Sequence, residues 1–99
     1  MVQINWTQQA KVDLKEISDY IAKDSKRYAE LEVKRIRKRT EILKKFAFAG
    51  KTNKEKGDEN IRELIERNYR IIYRIVHKQR IDILTVHHSS RDLSQRNIF

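Results

Sequence analysis

Asn60 to His88 reads NIRELIERNYRIIYRIVHKQRIDILTVHH, and how this stretch folds decides the architecture of the chain. Tyr69 to Val76 (YRIIYRIV) is dense in β-branched and aromatic residues, which suit a pleated surface, and it is too short for a surface helix of that composition. It reads as a central strand. Ile81 to His88 (IDILTVHH) follows across the polar break His77, Lys78, Gln79, Arg80, and Ile61 to Ile65 (IRELI) precedes it across Glu66, Arg67, Asn68. Breaks this short join antiparallel neighbours, because a parallel crossover needs roughly a dozen residues or more. The stretch is therefore predicted to be a three-stranded antiparallel meander.

The segments upstream supply its cover. Val2, Ile4 and Trp6 alternate with Gln3 and Asn5, the period of a half-buried strand. Thr7 then offers a hydroxyl to the free N–H groups of a helix start. Ala10, Leu14, Ile17 and Ile21 recur at spacings of four, three and four, which puts them on one helical face, with Lys11, Lys15, Asp19 and Lys23 off it. Asp24 and Ser25 end that helix and can cap a second. The second stripe runs through Ala29, Val33, Ile36, Leu43 and Phe46, with Thr40 inside it and Lys34, Arg35, Arg37, Lys38 and Arg39 crowding the remainder.

So short a break forces the two helices antiparallel, as a hairpin, and neither is long enough to be stable without docking on the meander. Phe46 to Asp58 (FAFAGKTNKEKGD) holds both glycines of the chain and reads as its one loop, with Phe46 and Phe48 tucked back under the helices. After the meander, SSRDLSQRNIF offers Ser89 or Ser90 as a cap for a short helical turn, and Ile98 and Phe99 either pack or hang free. The fold class expected is α+β: an N-terminal strand, a two-helix antiparallel hairpin, then the meander with the helices on one face and cationic residues on the other.

At 99 residues the chain is expected to be a single domain over residues 1–99. Without cysteine it has neither disulfide nor thiolate chemistry. No apolar run approaches the ~20 residues of a membrane span, and MVQINW lacks the basic and apolar regions of a signal peptide, so a cytoplasmic protein with no membrane partner is expected. The net charge of +9, from 23 Lys and Arg against 14 Asp and Glu, repels itself unless something anionic is nearby. A nucleic acid, an acidic membrane surface or an acidic protein segment would each serve.

The register of the last two strands decides which side chains meet. A two-residue turn at Lys78 and Gln79 sets Ile71 opposite Val86 and Tyr73 opposite Leu84 on a face fit to receive the helices, with Arg74 beside Ile83 and Arg70 beside His87 on the other. A turn one residue different sets Arg70 opposite His88, and the sequence does not choose. In both, an arginine and a histidine meet at one end of the sheet. Arg62, Arg70, Arg74, His87, His88 and Arg91 are thus candidates for holding a phosphate through paired N–H donors, or for moving a proton in RNA cleavage. The competing reading makes the histidines hydrogen-bonded edge residues and pairs the arginines with Glu63, Glu66 or Asp92. His77, His87 and His88 lack the spacing and carboxylate company of a metal site, and neither a metal nor another cofactor is expected. Ser89 and Ser90 lie too close to His88 to imply a nucleophile and its base, and no glycine-rich phosphate loop is present.

The order of elements and the wording of the motifs together resemble toxins of the RelE/ParE superfamily of bacterial type II toxin-antitoxin modules, over essentially the full length. The matching residues are Val2 to Thr7 and Ala10, Asp13-Leu14, Ile17 through Tyr20-Ile21, Gly50, Ile61 to Leu64, Tyr69 to Arg74, Ile83 through Val86-His87-His88, and Arg91-Asp92. The resemblance implies a small α+β protein silenced by a cognate antitoxin. In the RelE-like and YoeB-like branch such proteins cleave mRNA in the ribosome with basic residues and a His or Tyr past the last strand. Here Arg70 matches the central-strand arginine, but Ser89-Ser90 stand where those enzymes end in His-Tyr, and His88 comes a position early. The IREL and YRIIYRI wording and the Val86, His88, Arg91 spacing are more similar to the ParE branch, which acts on DNA gyrase. The proline often found near Phe46 to Gly50 is missing.

Three functions follow as expectations. The favoured one is a gyrase-binding poison using Arg62, Arg70, Arg74, His88 and Arg91 for its target or an anion, with Ile17, Tyr20, Ile21 and Val33 for an acidic, partly disordered antitoxin. The alternatives are a ribosome-dependent endoribonuclease, with Arg62, Arg70, His87 and His88 as its catalytic candidates and the ribosome and mRNA as partners, and an inactive nucleic-acid-binding relative.

Overall fold

The computed structural model describes residues 2–53 and 57–88. Its elements in chain order are β1 (Gln3–Trp6), α1 (Gln8–Ala22), α2 (Lys26–Arg39), a 3-10 helix (Thr40–Lys44), β2 (Lys51–Thr52), β3 (Ile61–Glu66), β4 (Tyr69–His77) and β5 (Arg80–His88). The α+β expectation holds: strand, helical hairpin, then the meander β3-β4-β5. The strands form one five-stranded sheet in the order β1-β5-β4-β3-β2. It is mixed rather than purely antiparallel, because β1 runs parallel to β5, with Gln3 opposite Arg80 and Trp6 opposite Ile83.

Both helix starts form as their capping residues dictate. Thr7 Oγ1 accepts from Ala10 N at 3.2 Å and donates to Ile83 O at 2.7 Å, so one hydroxyl caps α1 and ties its entry to β5. Ser25 Oγ accepts from Tyr28 N at 3.1 Å at the start of α2. The core lies between the helices and the sheet, where Ala10, Leu14, Ile36 and Leu43 meet Leu64, Ile71, Tyr73, Ile81, Ile83 and Val86. Each Leu or Ile buried there contributes about 1.5 to 3 kcal/mol.

Three expectations need correction. The stretch Phe46 to Asp58 is not all loop, since Lys51 and Thr52 pair with Glu63 and Arg62 as the edge strand β2. Phe46 and Phe48 do not tuck under the helices; they are 61% and 64% exposed, and Ala47 packs against the core in their place. The cause lies in the helix. Thr40 Oγ1 donates to Arg37 O at 2.7 Å, α2 tightens to the 3-10 form at Thr40, and after Lys44 the chain turns away before the helical period can carry Phe46 inward.

The third correction concerns register. Tyr69 to Ile72 pair with His88 to Thr85 as the two-residue turn requires, so Ile71 faces Val86 and Arg70 faces His87. A register shift between Ile72 and Tyr73 then sets Tyr73 opposite Ile83 and Arg74 opposite Asp82. Leu84 passes to the face away from the helices, where it joins Ile61 and Ile72 in a small apolar cluster. The face expected to be cationic therefore has an apolar centre. At the shift, helix α1 reaches the sheet: the buried Asp13 carboxylate accepts from Thr85 Oγ1, from Val86 N at 3.1 Å and, along its own helix, from Gln9 Nε2 at 2.8 Å.

Candidate functional site

Alternation along β3 and β4 sorts the predicted site residues. Arg70 and Arg74 share the outer sheet face with Ile72, whereas Arg62 stands opposite Tyr73, whose ring belongs to the inner core. His87 is opposite Arg70 and only 4% exposed; His88, exposed at the end of β5, meets its cross-strand partner Tyr69 edge to face, with ring centroids 6.0 Å apart. The structure thus brings together Arg70, Arg74 and His87 and leaves Arg62 on the other face. Arg91, with Asp92, Ser89, Ser90, Ile98 and Phe99, lies outside the described residues.

The arginines already have acceptors. Arg70 meets Glu63 in a two-pronged pair, Nε to Oε2 at 2.6 Å and Nη2 to Oε1 at 3.2 Å, with the side chains 12% and 7% exposed. Arg62 donates from Nε to Gly50 O at 2.8 Å and from Nη1 to Glu59 O at 3.0 Å, and its guanidinium lies over the Phe48 ring at 5.0 Å. Arg74 faces Asp82, which also accepts from Arg80 Nε at 2.9 Å and Asn5 Nδ2 at 3.1 Å. Burial alone would raise the Asp82 carboxyl, but the hydrogen bonds from Arg80 and Asn5 and the charges of Arg80 and Arg74 outweigh it and hold the group below its ordinary value. The sheet's outer face is a set of paired charges around an apolar centre.

A cleft of about 510 Å³ opens between α1, through Asp13, Glu16, Ile17 and Tyr20, and the strand ends Tyr69, His87 and His88. Tyr20, 73% exposed, also lines a neighbouring cleft with Ile21, Asp24 and Tyr28. Burial raises the Tyr69 phenol above its ordinary value, and the charges of Glu32, Tyr28 and Tyr20 add to it, so a tyrosine and carboxylate surface gathers at this end of the hairpin. Ile17, Tyr20 and Ile21 border it, and Val33 packs beneath against the core.

The sequence and the fold are both similar to known proteins. The family described as "ParE toxin of type II toxin-antitoxin system, parDE" matches residues 4–93. The chain belongs to the ParE toxin family. A solved chain of the chromosomal ParDE TA system from P. aeruginosa is similar to it at 26% identity, with a TM-score of 0.72 over 89% of this chain and 96% of that one. No curated protein sequence matches. Within this ParE toxin, no helix among the described residues is long and apolar enough to cross a membrane, and no group of three or more His, Asp or Glu there could hold a metal ion.

Sequence reasoning missed the burial of Asp13 and Glu32, and offered Glu63 only as one of three possible partners for the arginines. Asp13 and Glu32, 6% and 2% exposed, sit on the apolar stripes of α1 and α2, beside Leu14 and Val33, where a charged side chain must find an internal partner. Glu63 lies between Ile61 and Ile65 on one face of β3, across from Arg70. A carboxylate on an apolar stripe was the available signal for all three.

Proposed function

We propose that this ParE-family chain arrests bacterial growth by binding and inhibiting DNA gyrase, and that a cognate antitoxin neutralises it in the cytoplasm. The observation that carries the choice of gyrase over ribosomal mRNA is the Arg70–Glu63 pair. A ribonuclease of this fold needs the central-strand guanidinium free to grip a scissile phosphate, and here its fork is closed on a carboxylate with both side chains largely buried. Withdrawing Arg70 would leave the Glu63 charge buried without it, a cost a phosphate would have to overcome. In this reading Arg74, His88 and Arg91 contact the target or its DNA, and Arg62 acts through the segment it holds. The antitoxin takes the hairpin end around Ile17, Tyr20, Ile21 and Val33, where an exposed tyrosine and half-buried isoleucines offer an apolar seat.

The test compares gyrase supercoiling and ribosome-bound mRNA cleavage side by side with the purified chain. Supercoiling should be inhibited while message stays intact. Message cleavage that disappears in His88→Ala would move the chain to the ribonuclease branch, and harmless expression without an antitoxin would make it an inactive relative. Failure to co-purify with the product of the adjacent gene would remove the antitoxin.

A further inference from the structure

The segment from Phe46 to Gly50 is held rigidly, yet it presents two phenylalanines to solvent. The buried Tyr73 hydroxyl donates to Ala47 O at 2.8 Å and accepts from Gly50 N at 2.9 Å, while Ala49 N donates to Phe46 O at 3.0 Å. Gly50 admits no side chain: a Cβ there would lie 2.5 Å from Glu63 O and 2.7 Å from the Tyr73 ring. Arg62 closes the clamp from β3 through Gly50 O and stacks on Phe48. Aromatics held out on a fixed backbone lose little freedom when a partner covers them, which is how the strongest contacts of an interface are built.

The surroundings state what that partner must be. Ile42, Phe46, Ala47, Phe48 and Ala49 with Lys45 line a groove of about 560 Å³. Through Ile42 it continues into a second groove of about 320 Å³ bordered by Arg35, Lys38, Arg39 and Glu66. Among the described residues Lys38, Lys45 and Lys51 make no ion pair, whereas Arg35 pairs with Glu32 at 3.3 Å and Arg39 donates from Nε to Ile65 O at 3.2 Å and reaches Glu66 at 4.0 Å. An apolar seat thus runs into a cationic channel. A nucleic acid fits it less well than a protein, because the Arg62 guanidinium already covers a face of Phe48 and spends its donors on carbonyls, and the floor of the seat is aliphatic.

We propose that these joined grooves seat an acidic segment of the toxin's target protein, with an aromatic or branched side chain between Phe46 and Phe48 and its carboxylates along Lys38, Arg39 and Lys45. The joined grooves share no lining residue with the clefts around Tyr20, so this acidic segment and the antitoxin would occupy different grooves, although His88 borders the Tyr20 cleft as well. The assignment of the occupant to the target rests on the toxin reading above.

The full chain, Phe46→Ser/Phe48→Ser and Lys38→Glu/Lys45→Glu would be compared after circular dichroism shows each folded, as expected for exposed positions. The probes are a synthetic peptide with one tryptophan flanked by glutamates, and oligothymidylate. Both variants should bind the peptide about thirtyfold more weakly, and both should lose growth arrest on expression. A folded Phe46→Ser/Phe48→Ser that arrests growth and inhibits gyrase like the parent overturns the site and leaves the gyrase reading standing. A parent that spares gyrase, with arrest still lost in both variants, overturns the gyrase reading and leaves the site standing. Oligothymidylate bound at Phe46 and Phe48 in preference to the peptide would replace the acidic segment as the occupant.

Discussion

Arg70 is the residue on which the functional readings divide, and its pairing has a measurable thermodynamic signature. Glu63 is more deeply buried than its partner, so Arg70→Ala strands a buried carboxylate on the sheet face it shares with Ile61 and Ile72 and should destabilise the fold by about 3 to 5 kcal/mol in urea unfolding. The double substitution Arg70→Met/Glu63→Leu, which removes both charges, should recover most of that loss. A residue kept only for an external phosphate would behave differently, since its removal from a surface typically changes stability by less than about 0.5 kcal/mol. An Arg70→Ala protein as stable as the parent would therefore reopen the phosphate-binding reading. Tyr73 shows the same economy at an uncharged residue: its phenol closes two backbone hydrogen bonds of the Phe46 to Gly50 segment while its ring fills the core, and burial raises its pKa against the opposing Gly50 hydrogen bond and the Arg62 charge.

Among the elements, the turn between β3 and β4 stores strain that substitution should release. Arg67 has φ +55°, a left-handed conformation that crowds Cβ against the backbone and costs a non-glycine residue about 1 kcal/mol or more. Its side chain is exposed, so Arg67→Gly should raise the urea midpoint, with a net gain on the order of 0.5 kcal/mol after the entropy glycine adds to the unfolded chain. A lower midpoint would mean the arginine side chain contributes contacts that outweigh the strain. The elements themselves were legible where one physical signal dominated: the alternation of Val2, Ile4 and Trp6, the stripe from Ala10 to Ile21, the hydroxyls of Thr7 and Ser25, and the β-branched runs of the meander. Register was narrowed to two possibilities, of which the one with a two-residue turn holds from Tyr69 to Ile72; neither holds from Tyr73 to Ile75, because the shift toward Ile83 coincides with the grip of Asp13 on Thr85 and Val86, a contact between residues far apart in the chain. The strand β2 was hidden for a related reason. Lys51 and Thr52 carry no strand pattern of their own and are extended by pairing with β3. Of the candidate site, the meeting of Arg70 with a histidine was readable, but the turn length left His87 and His88 both open, and the closing of Arg70 on Glu63 was one of several pairings the sequence allowed.

For the molecule as a whole, the excess of positive charge and the arrangement of the sheet edge combine into a prediction about acid and salt. Asp82 is clipped by Asn5 from β1 and by Arg80 within β5, at the junction that seats the N-terminal strand. Because its folded pKa lies below the ordinary value, the stability it contributes is present above that value and is lost as pH falls through the folded one. Acid therefore acts twice on a chain already at +9: it releases the clip on β1 and removes the negative charges that offset its 23 Lys and Arg. Screening weakens repulsion among exposed charges at separations beyond about 8 Å at 0.15 M salt, and it weakens the partly buried Asp82 contacts less. The melting temperature should therefore rise with added sodium chloride near neutral pH, and the rise should grow as pH is lowered toward about 4. Asp82→Asn keeps the shape of the clip without its charge, so its melting curve should lose less between neutral pH and about pH 3 than the parent's does. A parent protein that melts at the same temperature in low and moderate salt across this range would show that the positive charges are spaced too widely to strain the fold. An Asp82→Asn variant with the parent's full acid loss would place the acid-sensitive contact elsewhere than at the junction of β1 and β5.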